Sequence, residues 1–258
     1  MHSLVATDLA ADVRLVVFCD GLRRRDKSNI EKCVRGRTIE FIDLEDAHTA
    51  RIGTLQTNSN WSRTIYTRLL MPQLLGVTTG RIVYLDADTL VVDSVNALFD
   101  MDLEGKAIGA MGGKSAKETA RLGLDPDIDI FNSGVLVIDV ERWLEEDVSE
   151  RTLSLAAERA SQNLPAFDQD VLNIVIGGRF AKLDYRWNSL GKAEHSNPAI
   201  IHFTHAKPNT TRCVHPWRHV YFEHRAETPW ATSRLQTNWD RRARRLKTSL
   251  RRILRRFC

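Results

Sequence analysis

Two aspartates stand one residue apart directly after an apolar run, in Arg81-Ile-Val-Tyr-Leu-Asp86-Ala87-Asp88-Thr89. Where a strand ends in this way the chain turns, and both carboxylates can face one cation. Oxygen donors of this type suit Mn2+ or Mg2+. Such an ion offsets diphosphate charge and helps a diphosphate depart. An Asp-x-Asp turn also serves plain backbone bonding, so the pair gains meaning only beside other clusters. Three follow. Phe131-Asn132-Ser133-Gly134-Val135 opens a second apolar run with an amide and a Gly, which allow close approach to a polar ligand. Asp168-Gln169-Asp170-Val171-Leu172-Asn173 starts a helical pattern with acids that suit its N-terminus, and it offers Asp168 and Gln169 to sugar hydroxyls. Ile200-Ile201-His202-Phe203 puts an imidazole at a strand end as a candidate metal ligand, and Lys207 behind it could meet phosphate as a point charge.

The elements that must position these residues alternate. Strands are predicted over 13–18, 38–42, 81–85, 106–111, 133–138, 179–183 and 199–203. Helices are predicted over about 26–34, 62–70, 149–160, 168–176 and 216–225. Unbroken Val/Ile/Leu strands between helical patterns point to an α/β fold, a mostly parallel sheet covered on both faces. Ligands of open sheets of this kind bind beyond the carboxyl ends of the strands. The polar stretch 112–129 is predicted to be a long loop.

The 258-residue chain carries a formal charge of +4, unevenly spread. Residues 241–258 hold nine Arg/Lys and no acid, leaving 28 basic and 33 acidic residues over 1–240. A net-acidic body argues against a nucleic-acid-binding core, in which Lys/Arg would cover a face. In the tail Ala243, Leu246, Leu250, Ile253, Leu254 and Phe257 recur at spacings of three and four, an apolar stripe on an otherwise basic helix. Such helices lie in the interface of anionic membranes. No apolar run is long enough to span a membrane. The first residues have no basic region of the signal-peptide type and carry Asp8 and Asp12. Cys19, Cys33, Cys213 and Cys258 lack metal-like or disulfide-like spacing and are expected to be free thiols. Together these features suggest a cytoplasmic protein, peripheral on the inner membrane face.

In this order the four clusters resemble glycosyltransferase family 8. Thr64-Ile-Tyr66-Thr-Arg68-Leu69-Leu70-Met71-Pro72-Gln-Leu74-Leu75 is similar to the helix preceding that family's acidic motif. His215-Pro216-Trp217, Tyr221 and Thr228-Pro229-Trp230 are similar to the C-terminal segment of its bacterial members. The resemblance covers about residues 13–231. It implies a single GT-A domain over 1–231, followed by the amphipathic tail over 232–258. It further implies a retaining transferase that moves galactose or glucose from a UDP-sugar to a glycan or glycolipid such as lipopolysaccharide, with Mn2+ (or Mg2+). The resemblance makes Asp86, Asp88 and His202 the metal ligands. Arg68, Asp86, Ala87, Asn132, Ser133 and Lys207 would bind the donor, with Asp168 and Gln169 nearest the anomeric carbon.

Two departures stand out. The family starts with a strand and helix before the strand matching 13–18, and only twelve residues precede that strand here. Ser3–Leu9 is therefore expected to be the remnant of the first helix, with the first strand and its uridine contacts absent and UDP binding weak. A catalytically impaired, membrane-docked relic of the fold is the alternative. The loop after His202 also lacks the family's Gly, reaches Lys207 one residue early, and has Asn209 where Trp is usual; His205 could stand in as a ligand.

Overall fold

The protein is described by a computed structural model covering residues 1–44, 52, 55, 63–159, 167–191, 196–240 and 243. A short helix α1 (His2–Ala6) leads into strand β1 (Leu15–Cys19), helix α2 (Arg24–Glu31) and strand β2 (Ile39–Asp43). β1 and β2 pair in parallel from Leu15↔Ile39 to Cys19↔Asp43. A 3-10 turn (Arg63–Leu70) then passes into α3 (Met71–Leu75). A continuous helix was predicted over the first of these. Pro72 near the start of α3 has no N–H to donate backward, so the coil changes pitch there.

β3 (Arg81–Leu85) ends at the acidic pair and β4 (Thr89–Val91) follows at once. Next come β5 (Ile108–Lys114), α4 (Ala116–Leu122) and the long β6 (Asp129–Asp139). α5 (Val140–Glu145), α6 (Val148–Glu158) and α7 (Phe167–Ile176) pack behind them. β7 (Ala181–Lys182), a 3-10 turn (Tyr185–Asn188), β8 (Ile200–His202) and α8 (Arg218–Ala226) complete the described elements.

The larger sheet has the order β3-β6-β5-β7, and β4 pairs with β8 in a separate ribbon. Among the described residues, β1 pairs only with β2, and β3 only with β6. The expectation of a mostly parallel sheet needs correction. β6 runs antiparallel to both β3 and β5, and β4 antiparallel to β8; β1–β2 and β5–β7 are parallel. The apolar pattern reports burial on two faces and not strand direction. Val135, Leu136, Val137 and Ile138 of β6 are fully buried, so the central strand is covered on both sides as expected. Each such side chain contributes about 1.5–3 kcal/mol by leaving water.

The stretch 112–129 also departs from expectation, because it contains α4. Ser115 Oγ accepts from Glu118 N (3.4 Å), and Gly123 at φ 71° ends the helix. Ser115-x-x-Glu118 is a capping pattern legible in the sequence. Part of the helix expected over Ser3–Leu9 is present, as α1 over His2–Ala6. Ser3 Oγ of α1 accepts from Val91 N of β4 (3.1 Å) and fixes that helix to the ribbon that carries the acidic pair. Cys19, Cys33 and Cys213 are free thiols.

Candidate active site

Asp86 leaves β3 still bonded to the sheet, its N–H donating to Gly134 O (2.8 Å). The turn is closed by Thr89, whose N–H and Oγ both donate to Asp86 O (3.1 and 2.8 Å). Ala87 is exposed at the apex. The chain then enters β4, where Thr89 is paired with His202 of β8, and Phe203 N donates to Asp88 O (3.0 Å). Strand register thus delivers the imidazole to the carboxylates. His202 Nε2 lies 3.2 Å from Asp88 Oδ1 and 3.7 Å from Asp86 Oδ2. One ligand atom from each of the three falls within 4.8 Å of the others. The donor set, two carboxylates and an imidazole, fits a divalent ion.

Gly134 makes room for this cluster. A Cβ there would lie 2.0 Å from His202 Cε1 and 2.9 Å from Asp86 Oδ2, so no other residue fits without moving a ligand.

Arg68 is a buried hub. Its Nη2 donates to Asp86 Oδ1 (2.8 Å), its Nη1 to Ser133 O and Oγ (2.7 and 2.8 Å), and its Nε lies 2.8 Å from Asp168 Oδ2. Its guanidinium stacks 4.7 Å from the Tyr84 ring centroid, and Tyr84 Oη donates to Asp86 Oδ1 (2.5 Å). Burial disfavours the Arg68 charge, but Asp168, Tyr84 and Asp86 outweigh it and raise its pKa. Burial pushes Asp168 up to about 6 even with Arg68 beside it. For Asp88, burial alone would act upward, yet hydrogen bonds from His202 and Lys207 hold it down at about 2.

Asp168 and Gln169 sit at the start of α7, as expected. Gln169 Oε1 accepts from Asn132 Nδ2 (3.0 Å) and Ser133 N (3.1 Å), which joins the second and third clusters. α7 is held in place by side chains that sequence reasoning gave no role. Asn173 exchanges two bonds with the Phe131 backbone (2.9 and 3.0 Å), and Arg121 of α4 grips Asp170 with two bonds of 2.7 Å. Asn188, fully buried, lies against His202 Nδ1 (2.9 Å). Tyr84 and Asn188 were also missed, and only their closeness in sequence to a strand or turn end hinted at them. Lys207 Nζ is bonded to Asp88 and to Phe203 O (2.8 Å), so it neutralises the acidic pair from behind. His205 is exposed and lies outside the ligand cluster of the described residues.

The profile of glycosyl transferase family 8 matches residues 1–212. The chain belongs to this family and is a glycosyltransferase with the GT-A fold. General stress protein A of Bacillus subtilis is 26% identical over 89% of this chain and 87% of its own length. The lipopolysaccharide 1,2-glucosyltransferase of Escherichia coli K12 is 29% identical over 73% of this chain and 62% of its own length. Among solved structures, galactosyltransferase LgtC in complex with donor and acceptor sugar analogs superposes with a TM-score of 0.73 at 23% identity, covering 88% of this chain and 89% of that one.

Proposed function

We propose that the chain transfers a hexose, glucose or galactose, from a UDP-sugar to a glycan or glycolipid acceptor, with retention of configuration. The carrying observation is the convergence of Asp86, Asp88 and His202 within 4.8 Å, next to Asn132, Ser133, Asp168 and Gln169. Mn2+ (or Mg2+) held by those three ligands would neutralise the donor diphosphate and act as a Lewis acid on the leaving group. Ala87 presents its backbone at the turn apex, and Lys207 adds positive charge at the same edge. Arg68 keeps Asp86 and Asp168 fixed relative to each other. Asp168 and Gln169, with Asn132 and Ser133, bind the sugar and hold it in line with the acceptor. Asp168 is tied to Arg68 and 7% exposed, a poor setting for a covalent nucleophile. Attack from the face the nucleotide leaves fits better, with positioning and electrostatics supplying most of the rate. A panel of UDP-hexoses with Mn2+ tests this: slow hydrolysis of UDP-glucose or UDP-galactose, absent with other nucleotide sugars, is expected. Mn2+ binding without any turnover would leave the relic alternative.

The proposed domain plan is a catalytic body over 1–231 and a membrane-associating tail over 232–258. No described helix is long and apolar enough to cross a membrane. Residues 241, 242 and 244–258 lie outside the described residues. A helix begins at 238, and Thr237 and Asp240 cap it reciprocally: Thr237 N donates to Asp240 Oδ2 (2.8 Å), Asp240 N to Thr237 Oγ1 (3.5 Å). This start in front of the basic stripe supports a peripheral helix on an anionic, cytoplasmic-face membrane. Truncation after Asp240 is expected to move the protein from vesicles containing anionic lipid to the supernatant, as is high salt. Unchanged sedimentation in both cases would remove the tail proposal.

A further inference from the structure

Four polar side chains form an unbroken line from the cation site to the sugar site. His202 Nδ1 meets Asn188 Oδ1 (2.9 Å), Asn188 Nδ2 meets Asn132 Oδ1 (2.8 Å), and Asn132 Nδ2 meets Gln169 Oε1 (3.0 Å). Side-chain amides can be turned end for end, so the direction of such a line normally needs an independent anchor. Here there are two. Gly134 N donates to Asn132 Oδ1 (3.0 Å), and Ser133 N donates to Gln169 Oε1 (3.1 Å). A main-chain N–H only donates, so Asn132 must show its oxygen to Gly134 and Gln169 its oxygen to Ser133. Asn132 Oδ1 then accepts from Asn188 Nδ2, and Asn188 is left with its oxygen toward the imidazole. An oxygen facing Nδ1 requires a proton on Nδ1.

We propose, building on the cation site above, that Asn188 is a positioning residue. It holds a proton on His202 Nδ1, so that Nε2 faces Asp86 and Asp88. The backbone of β6 sets the direction of the whole line, and Asn188 carries it across to the ribbon. The 3-10 turn ending at Asn188 lies along β8, with Ser189 N donating to Ile200 O (2.9 Å) and His202 N to Ser189 O (2.8 Å), so Asn188 and His202 are placed by the same backbone contacts. Nε2 and two carboxylates converge on one point, an arrangement satisfied by a cation or, in its absence, by a proton shared with Asp88. At the other end the Gln169 carbonyl is consumed by two donors, so its NH2 group is what remains for a ligand. Gln169 therefore serves the sugar as a hydrogen-bond donor.

The full chain labelled with 15N-histidine, with His202 assigned through His202→Gln, is examined by long-range proton–nitrogen spectra with and without diamagnetic Mg2+. Protonated Nδ1 is expected in both. An unprotonated Nδ1 would overturn the proposal. Calorimetric Mn2+ titration of Asn188→Leu should show affinity about 10–100-fold weaker, the usual effect of losing the partner of a ligating histidine. Asn188→Asp still accepts from Nδ1, so its Mn2+ affinity should stay near the parent value. Its carboxylate faces Asn132 Oδ1 with no proton to give, so kcat for UDP-hexose hydrolysis should fall. Parental Mn2+ affinity in a folded Asn188→Leu, or equal Mn2+ losses in both variants, overturns the relay. A parent chain that binds no Mn2+ defeats the cation site instead, and the metal-free tautomer spectrum still decides the Asn188 assignment.

Discussion

Asp88→Ala should lower UDP-hexose turnover by about a thousandfold or more, and flatten a Mn2+ titration, while the protein stays folded. The magnitude follows from losing the cation that Asp88 would hold against the negative charge developing on the leaving group, about 4 kcal/mol in preorganised sites. Asp88 is a cleaner probe than Asp86. Its oxygens meet His202 Nε2 at 3.2 Å and Lys207 Nζ, and Lys207 keeps Phe203 O (2.8 Å) and Thr204 O (3.3 Å) as partners when the carboxylate is gone. Asp86 by contrast also holds Arg68 and Tyr84, so Asp86→Ala mixes lost ligation with a disturbed interior. The Asp88 carboxyl also sets an acid limit. Its folded-state pKa of about 2 lies below the ordinary 3.8, so the stabilisation it brings is complete above the ordinary value and is lost as pH falls toward 2. Asp88→Ala should therefore flatten the acid limb of a stability profile. Full turnover in a folded Asp88→Ala would remove the metal assignment.

The two carboxylates and His202 were legible in the sequence because each stands at the end of an apolar run, although what brings them together is the antiparallel Thr89–His202 register of the separate β4–β8 ribbon. Asp168 and Gln169 were legible for a similar reason, standing where a helical pattern starts. Legibility failed for residues whose role exists only across elements. Asn188 follows a Trp in a turn that looks unremarkable, and its significance lies in Asn132, 56 positions away. Arg68 was expected near the donor, but its neighbours Asp86, Ser133 and Asp168 come from three separate segments, and no spacing predicts that one guanidinium serves all three. Gly134 was read as room for a ligand. The structure gives it a more local duty, since its missing Cβ is the space the His202 ring occupies. Strand direction was illegible for a different reason: a buried antiparallel strand such as β6 has the same apolar pattern as a parallel one.

Arg68→Ala is expected to be the most destabilising single change in the site, at about 3–5 kcal/mol, because it strips the partner from a buried ion pair and leaves carboxylates behind. Arg68 is 5% exposed and Asp168 7%, so water cannot readily replace the lost fork. Arg68→Lys should recover only part of the loss. One ammonium cannot reach Asp86 Oδ1, Asp168 Oδ2 and the Ser133 carbonyl from the positions the planar guanidinium uses. The cost should also depend on pH, in a direction that follows from Asp168. Burial raises that carboxyl to about 6 against an ordinary 3.8 even with Arg68 present, so between these values the folded state holds a proton that the unfolded state has lost. Ionising Asp168 therefore costs stability as pH rises through about 6. Without Arg68 the folded-state value climbs further and the loss continues to higher pH. The gap between parent and Arg68→Ala in urea melts should widen from about pH 5 to about pH 8. An equal gap at both pH values would show that the arginine contributes packing along its stem and not charge. The same experiment links stability to activity, because the carboxylates Arg68 holds apart are a proposed ligand of the cation site and a proposed wall of the sugar site. A variant stabilised at low pH by a protonated Asp168 should fold well and still turn over poorly.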